Sequence, residues 1–239
     1  MATIHQALEQ GLGLHRAGRL DEAVRIYRAI LSQHPENADA LHLLGVATLQ
    51  RGDAGEAEPL LARAAGLQGG NPDVHFHHAN ALCILNRYGD TAEAFRRVVA
   101  LRPDDAAAWF GLGDALGQLR RFEEAADAFR RTVALAPDAH EHQIALGVAL
   151  RNLGRVTEAE AIYRRVIAAH PGMAEAHANL ATALQQQGHI DAALESYRRA
   201  FALNPAFFKR ILRNLASMGH GRLWLNLDKA RRALAGNDG

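Results

Sequence analysis

Apolar positions in the stretch 106–139 recur with two helical rhythms separated by a polar turn. Trp109, Leu112, Gly113 and Leu116 fall at i, i+3, i+4 and i+7, one face of an amphipathic helix. Ala125, Ala128, Phe129 and Leu135 form a second such face, and Pro137 closes it. The same two-helix pattern returns along the chain. Pro103, Pro137, Pro171 and Pro205 are each 34 residues apart, Pro35 lies two periods before Pro103, and Gly69 holds the place between. Arginine pairs at 96/97, 130/131, 164/165 and 198/199 keep the same spacing. A fixed period of this length predicts a stack of helix–turn–helix repeats, each covering the apolar face of its neighbour.

Trp109, Leu112-Gly113, Leu116, Ala125-x3-Phe129 and Pro137 resemble the signature of the tetratricopeptide repeat family. In that register the repeats run 4–37, 38–71, 72–105, 106–139, 140–173 and 174–207, an array filling 1–207. The Leu-Gly step recurs at Leu44-Gly45 and Leu146-Gly147 and becomes Leu180-Ala181 in the sixth repeat. The Ala-x3-aromatic step recurs as Ala23/Tyr27, Ala159/Tyr163 and Ala193/Tyr197. The resemblance implies an all-α fold: a right-handed superhelical solenoid of six helix–turn–helix units. Residues 208–239 supply capping helices and a tail.

The individual copies differ. In the first repeat the helices are expected near 4–17 and 21–34, with Gly18 between them. The second is the loosest, holding Gly52, Gly55, Gly66, Gly69 and Gly70, with Pro59 acceptable only near the first turn of its helix. In the third, His75 and His78 replace the Trp109 and Leu112 of the fourth. Acidic residues precede the arginine pairs at i, i+4: Glu93/Arg97, Asp127/Arg131, Glu160/Arg164 and Glu195/Arg199. After Pro205 the period fails. Phe207, Phe208, Ile211, Leu212 and Leu215 mark an amphipathic helix, Trp224 or Leu225 is expected to lie on the last repeat, and a short basic helix spans 228–235. An array needs such an atypical terminal unit to close its last apolar face.

Composition narrows the function. A formal net charge of +1 over 239 residues gives no field to attract nucleic acid or an anionic membrane. Cys83 is the single cysteine, so no intramolecular disulfide forms. The N-terminus has no secretory pattern, and no apolar run approaches the roughly 20 residues a spanning helix needs. The expected compartment is the cytoplasm. Three serines, none in a nucleophile setting, and Gly-x-Gly fragments inside helices argue against an enzyme and a nucleotide site. His75, His77 and His78 are the nearest approach to a metal site, but the spacing offers no third ligand beside them, so neither metal nor cofactor is expected. The arginine pairs read as a solvated, ion-paired outer face.

In the family that this chain resembles, the first helix of each repeat lines a concave groove. Carrying its inward positions over gives His42 from the second repeat, Phe76, His77 and Asn80 from the third, and Phe110, Asp114 and Gln118 from the fourth. The fifth supplies Arg151 and Asn152, and the sixth Asn179, Thr182 and Gln186. Two specialised uses do not fit. Chaperone-tail binders clamp a carboxylate with groove lysines, whereas Lys209 and Lys229 both follow the repeats. An asparagine ladder at the sixth position of successive repeats survives only at Asn179. The reading is a non-enzymatic scaffold that binds a protein or extended peptide, with neither nucleic acid nor membrane as partner. Two alternatives stand beside it: the recognition arm of a glycosyltransferase- or sulfotransferase-type enzyme whose catalytic part acts in trans or is missing from this sequence, and a homo-oligomer stacked through its terminal helices.

Overall fold

The computed structural model describes residues 3–216. Among them are thirteen α-helices and no strand. In chain order, the first repeat is α1 (Ile4–Arg16) and α2 (Leu20–Gln33), and the second α3 (Ala38–Gln50) and α4 (Ala54–Leu67). The third is α5 (Pro72–Ile84) and α6 (Tyr88–Leu101), and the fourth α7 (Ala106–Gln118) and α8 (Phe122–Leu135). The fifth is α9 (His140–Asn152) and α10 (Val156–Ala169), and the sixth α11 (Ala174–Gln186) and α12 (Ile190–Leu203). After the 3₁₀ turn Pro205–Phe207 comes α13 (Phe208–Ala216). The expected Trp224 contact and the helix at 228–235 lie outside the described residues.

The chain divides into two compact bodies, Met1–Arg121 and Phe122–Gly239, with the boundary between α7 and α8. In each body consecutive helices pack side by side, and first helices of neighbouring repeats also touch: α1 on α3, α3 on α5, and α9 on α11.

Each turn within a repeat is made the same way. Gly18, Gly52, Asn86, Arg120, Gly154 and Gly188, all 34 residues apart, take left-handed φ values of 57–92°. The next backbone N–H returns to a carbonyl five residues earlier, as in Arg19 to Leu14 (2.9 Å) and His189 to Leu184 (2.9 Å). This Schellman closure satisfies helix-end carbonyls, and glycine fits it best because it has no Cβ to clash. Asn86 and Arg120 do without glycine.

Glycine has a second use at the crossing of the paired helices. A Cβ on Gly11 would stand 2.5 Å from Tyr27 Cε1, one on Gly45 2.6 Å from Leu61 Cγ, and one on Gly147 2.5 Å from Tyr163 Cε1. Tyr27, Leu61 and Tyr163 are wholly buried, so each large side chain is seated in the space a glycine leaves.

Four of the five junctions between repeats share one more bond. His75 Nε2 donates to Gly69 O (3.0 Å), Trp109 Nε1 to Pro103 O (2.8 Å), Gln143 Nε2 to Pro137 O (2.7 Å) and His177 Nε2 to Pro171 O (3.0 Å). Each ties the first turn of one helix to the end of the preceding repeat.

The N-termini of the first helices differ between the two bodies. Thr3 forms a capping box with Gln6, while Asn37, Asn71 and Asp105 accept from Ala40, Asp73 and Ala108. At the same positions before α9 and α11, Ala139 and Met173 provide no side-chain cap.

α13 closes the sixth repeat. Ile211 and Leu215 are fully buried against Ala178, Ala181, Tyr197 and Ala200, with Phe207 and Phe208 packed beside them.

Three expectations are corrected. Leu135 does not join the apolar face; it is the last residue of its helix and 41% exposed, as Leu67, Leu101 and Leu203 are exposed at their own helix ends. Pro59 is the sixth residue of α4, one turn further in than expected. The acid–arginine pairs mostly close at i, i+3, as Glu93–Arg96, Asp127–Arg130 and Glu195–Arg198; Glu160–Arg164 alone of the four keeps i, i+4. The first arginine of a pair lies nearer the acid along the helix.

Candidate functional site

In the N-terminal body, two hydrogen bonds stitch the first helices of neighbouring repeats along one face. His15 Nε2 meets Gln50 Oε1 at 2.8 Å, and His42 Nε2 meets His77 Nδ1 at 2.8 Å, with the latter rings 5.0 Å apart. His42 and His77 therefore use ring nitrogens on each other, one donating and one accepting, which requires a neutral partner. Burial, then the neighbouring His77, pushes the His42 pKa down to about 4, against weaker upward pulls from Asp73 and Asp39. Burial also lowers His77, with Asp73 opposing and His15 adding to the drop.

Phe76 is half-buried, edge-on to Phe95 at 5.6 Å. Asn80 and Phe110 are half-buried, and Asp114 and Gln118 are exposed. Cys83 is half-buried, and burial, with Asp114 nearby, raises its thiol pKa.

His75 and His78 do not converge. The first is bonded to Gly69, whereas His78 Nε2 reaches Glu58 Oε1 at 3.2 Å, a carboxylate that also lies 3.1 Å from Arg87. Among the described residues no group of three His, Cys, Asp or Glu side chains is placed to share a metal ion.

In the C-terminal body, Arg151, Asn179, Thr182 and Gln186 are brought together in a cleft of about 530 Å³ between α9, α11 and α13. Asn152 is exposed at the end of α9. Thr182 Oγ1 donates to Ala178 O at 3.0 Å and accepts from Asn214 Nδ2 at 3.1 Å. Gln185 donates to Asn214 O at 3.0 Å and accepts from Tyr197 OH at 3.0 Å, so this wall is fixed by its own bonds.

The opposite holds for three other donors. Arg151 Nε, Asn179 Nδ2 and Arg210 Nη2 are shielded from water and have no hydrogen-bond acceptor among the described residues. A buried donor left unpaired costs about 1–3 kcal/mol. Arg210 stacks over Phe207 at 4.3 Å, and burial lowers its pKa; Glu175 and Tyr197 oppose that shift, and Arg151 and Arg213 add to it. Arg210 and Arg213 follow the last repeat, so only their packing against α11 reveals that they belong to this face.

Models of the tetratricopeptide repeat match residues 14–83, 78–139, 112–174 and 150–216, together most of the chain. The protein is a member of the tetratricopeptide repeat family. No curated protein matches its sequence. Solved tetratricopeptide structures resemble it in fold. YrrB, a protein of this family with an unusual peptide-binding site, superposes with a TM-score of 0.66 at 19% identity, over 75% of this chain and 92% of its own. MamA of Desulfovibrio magneticus RS-1 gives 0.66 at 21% identity, covering 71% and 96%. The C-terminal part of a repeat protein from Cytophaga hutchinsonii gives 0.74 at 10% identity, covering 97% and 95%. The tetratricopeptide fold supports a role as a protein-interaction scaffold. Among the described residues no helix is long and apolar enough to cross a membrane.

Proposed function

We propose that this tetratricopeptide protein is a non-enzymatic scaffold that receives a protein segment or an extended peptide on the faces of its first helices. The observation that carries this reading is the accessibility of those faces. Helix α7 buries Ala108, Leu112, Gly113, Ala115 and Leu116 while leaving Phe110 half-buried and Asp114 and Gln118 exposed. A partner could bury such part-covered aromatic surface at about 25 cal/mol per Å². Polar side chains beside it, Asn80 and Gln118 in the N-terminal body and Asn152 and Gln186 in the C-terminal one, can both donate and accept, which suits a peptide backbone whatever its sequence. YrrB's peptide-binding site lends the same direction to the reading.

The test is site-specific photocrosslinking in lysate of the source organism. A benzophenone side chain is placed at Phe76, at Phe110 or, as control, at Arg97 on the second-helix side. Discrete crosslinked products from the first two positions and none from the third are expected. Equal yields from all three, or products from Arg97 alone, would move the binding surface elsewhere.

A further inference from the structure

The C-terminal cleft has a chemical bias. Its wall carries three guanidinium groups, Arg151, Arg210 and Arg213, against one carboxylate, Glu175. On that wall Arg151, Arg210 and Asn179 each hold an N–H without an acceptor among the described residues, and Asn179 as a whole is only 6% exposed. Two of these are arginines, whose planar forks match a carboxylate in bidentate fashion. The end torsion of an Asn amide is broad, and an arginine has several rotatable bonds, so small rotations bring these donors from the wall to the cleft.

We propose that this cleft, made by α9, α11 and the capping helix α13, is a subsite for an acidic side chain of a bound peptide. The inference rests on the scaffold reading above and adds the chemistry of the partner: an extended segment with an internal aspartate or glutamate. Charge complementarity selects that occupant. Three cations against one anion leave the wall net positive, and the planar arginine forks suit the planar, bidentate oxygens of a side-chain carboxylate. Val148 lines the same cleft and offers a small apolar contact to the stem of a glutamate. The capping helix thereby acquires a second role, supplying ligand contacts as well as covering the last repeat.

The test uses the full-length protein, ¹⁵N-labelled, observed through its arginine Nε–H and asparagine amide resonances. The probe is an acetylated, amidated ten-residue peptide of alternating glutamate and alanine, compared with its glutamine counterpart. Saturable shifts at Arg151, Asn179 and Arg210 with the glutamate peptide, at least tenfold weaker with the glutamine peptide, are expected. Arg151→Gln, whose side chain is only half-buried, should weaken binding of the glutamate peptide about tenfold while the melting curve stays in place. Arg213→Gln serves as a second variant should Arg151→Gln melt early. No shift with the glutamate peptide, equal shifts with both peptides, or tighter binding of inorganic phosphate or a short oligoribonucleotide would overturn the proposal. The scaffold reading fails separately: absence of crosslinks at Phe76 and Phe110 removes it, whereas crosslinks there together with no shift from the glutamate peptide keep the scaffold and remove only the acidic subsite.

Discussion

Two glycines of α1, two residues apart, are expected to respond in opposite directions to the same substitution. Gly11 is buried, and a Cβ there would stand 2.5, 3.1 and 3.2 Å from Cε1, Cζ and Cδ1 of Tyr27. Ordinary carbon contacts lie at ~3.5–4.0 Å, so the ring must retreat by about 1 Å. It has nowhere to go: Tyr27 is fully buried among Ala23, Val24, Leu44 and Ala47. Overpacking of this kind costs about 1–3 kcal/mol. Among the described residues no heavy atom lies within 4 Å of a Cβ placed on Gly13, so alanine there brings only the helical gain of roughly 0.5–1 kcal/mol. That gain applies at both sites and cancels in the comparison, leaving the clash alone. Gly11→Ala should therefore be less stable than Gly13→Ala by about 1–3 kcal/mol. Urea denaturation followed by circular dichroism, with amide exchange of α1 to register local opening, measures the gap. Equal stabilities, or a Gly11→Ala protein more stable than the parent, would refute the account of helix crossing. Gly147→Ala, facing Tyr163, repeats the test in the other body.

Other outcomes follow from single groups. Tyr163 OH is buried without a partner among the described residues, whereas Tyr197 OH donates to Gln185; Tyr163→Phe should be neutral or stabilising and Tyr197→Phe should cost about 1–1.5 kcal/mol by thermal melting. His42 is held neutral with its pKa near 4, below its unfolded value, so its contribution is complete above about pH 6.5 and is lost as pH falls toward 4. The loss should amount to ~1–2 kcal/mol once partial exposure is allowed for, and His42→Gln should flatten that part of a stability–pH curve. Ala139→Asp supplies the cap that Asp105 provides one repeat earlier, and should raise stability by about 0.5–1.5 kcal/mol in urea titrations. Ile211→Ala removes a fully buried side chain under α13 and should cost about 2–5 kcal/mol, read from the same titrations.

The architecture was legible because its causes are local and periodic. Prolines and turn glycines at fixed offsets set the register, and helices α1, α3, α5, α7, α9 and α11 begin at 4, 38, 72, 106, 140 and 174. The small residue of the Leu-Gly step was readable too, since a crossing point excludes a Cβ. Leu135 was misread because an i, i+3, i+4 count does not record where the neighbouring helix ends. Asn86 and Arg120 hide the left-handed turn, which glycine announces in the other four repeats. The cleft was half visible. Asn179 and Arg151 lie on repeat positions, but Arg210 and Arg213 follow the last period, and which way α13 turns is a matter of tertiary packing. The His42–His77 bond was equally out of reach, because it pairs residues 35 apart on helices whose separation no pattern encodes.

The bond at four of the five repeat junctions bears on how such a chain can change over time. An indole, two imidazoles and a carboxamide all deliver one N–H to the same carbonyl, at 2.7–3.0 Å. At these four junctions the carbonyl takes any donor of the right reach, and three unlike side chains supply it; at the first, Leu41 holds the place and Arg63 Nη2 donates to Pro35 O instead (2.7 Å). Copies of the repeat can thus exchange tryptophan, histidine and glutamine there, each exchange keeping the junction tied. Such freedom lets the amino-acid identity of an array vary widely while its backbone remains the same, and solved structures share this fold at 10–21% identity.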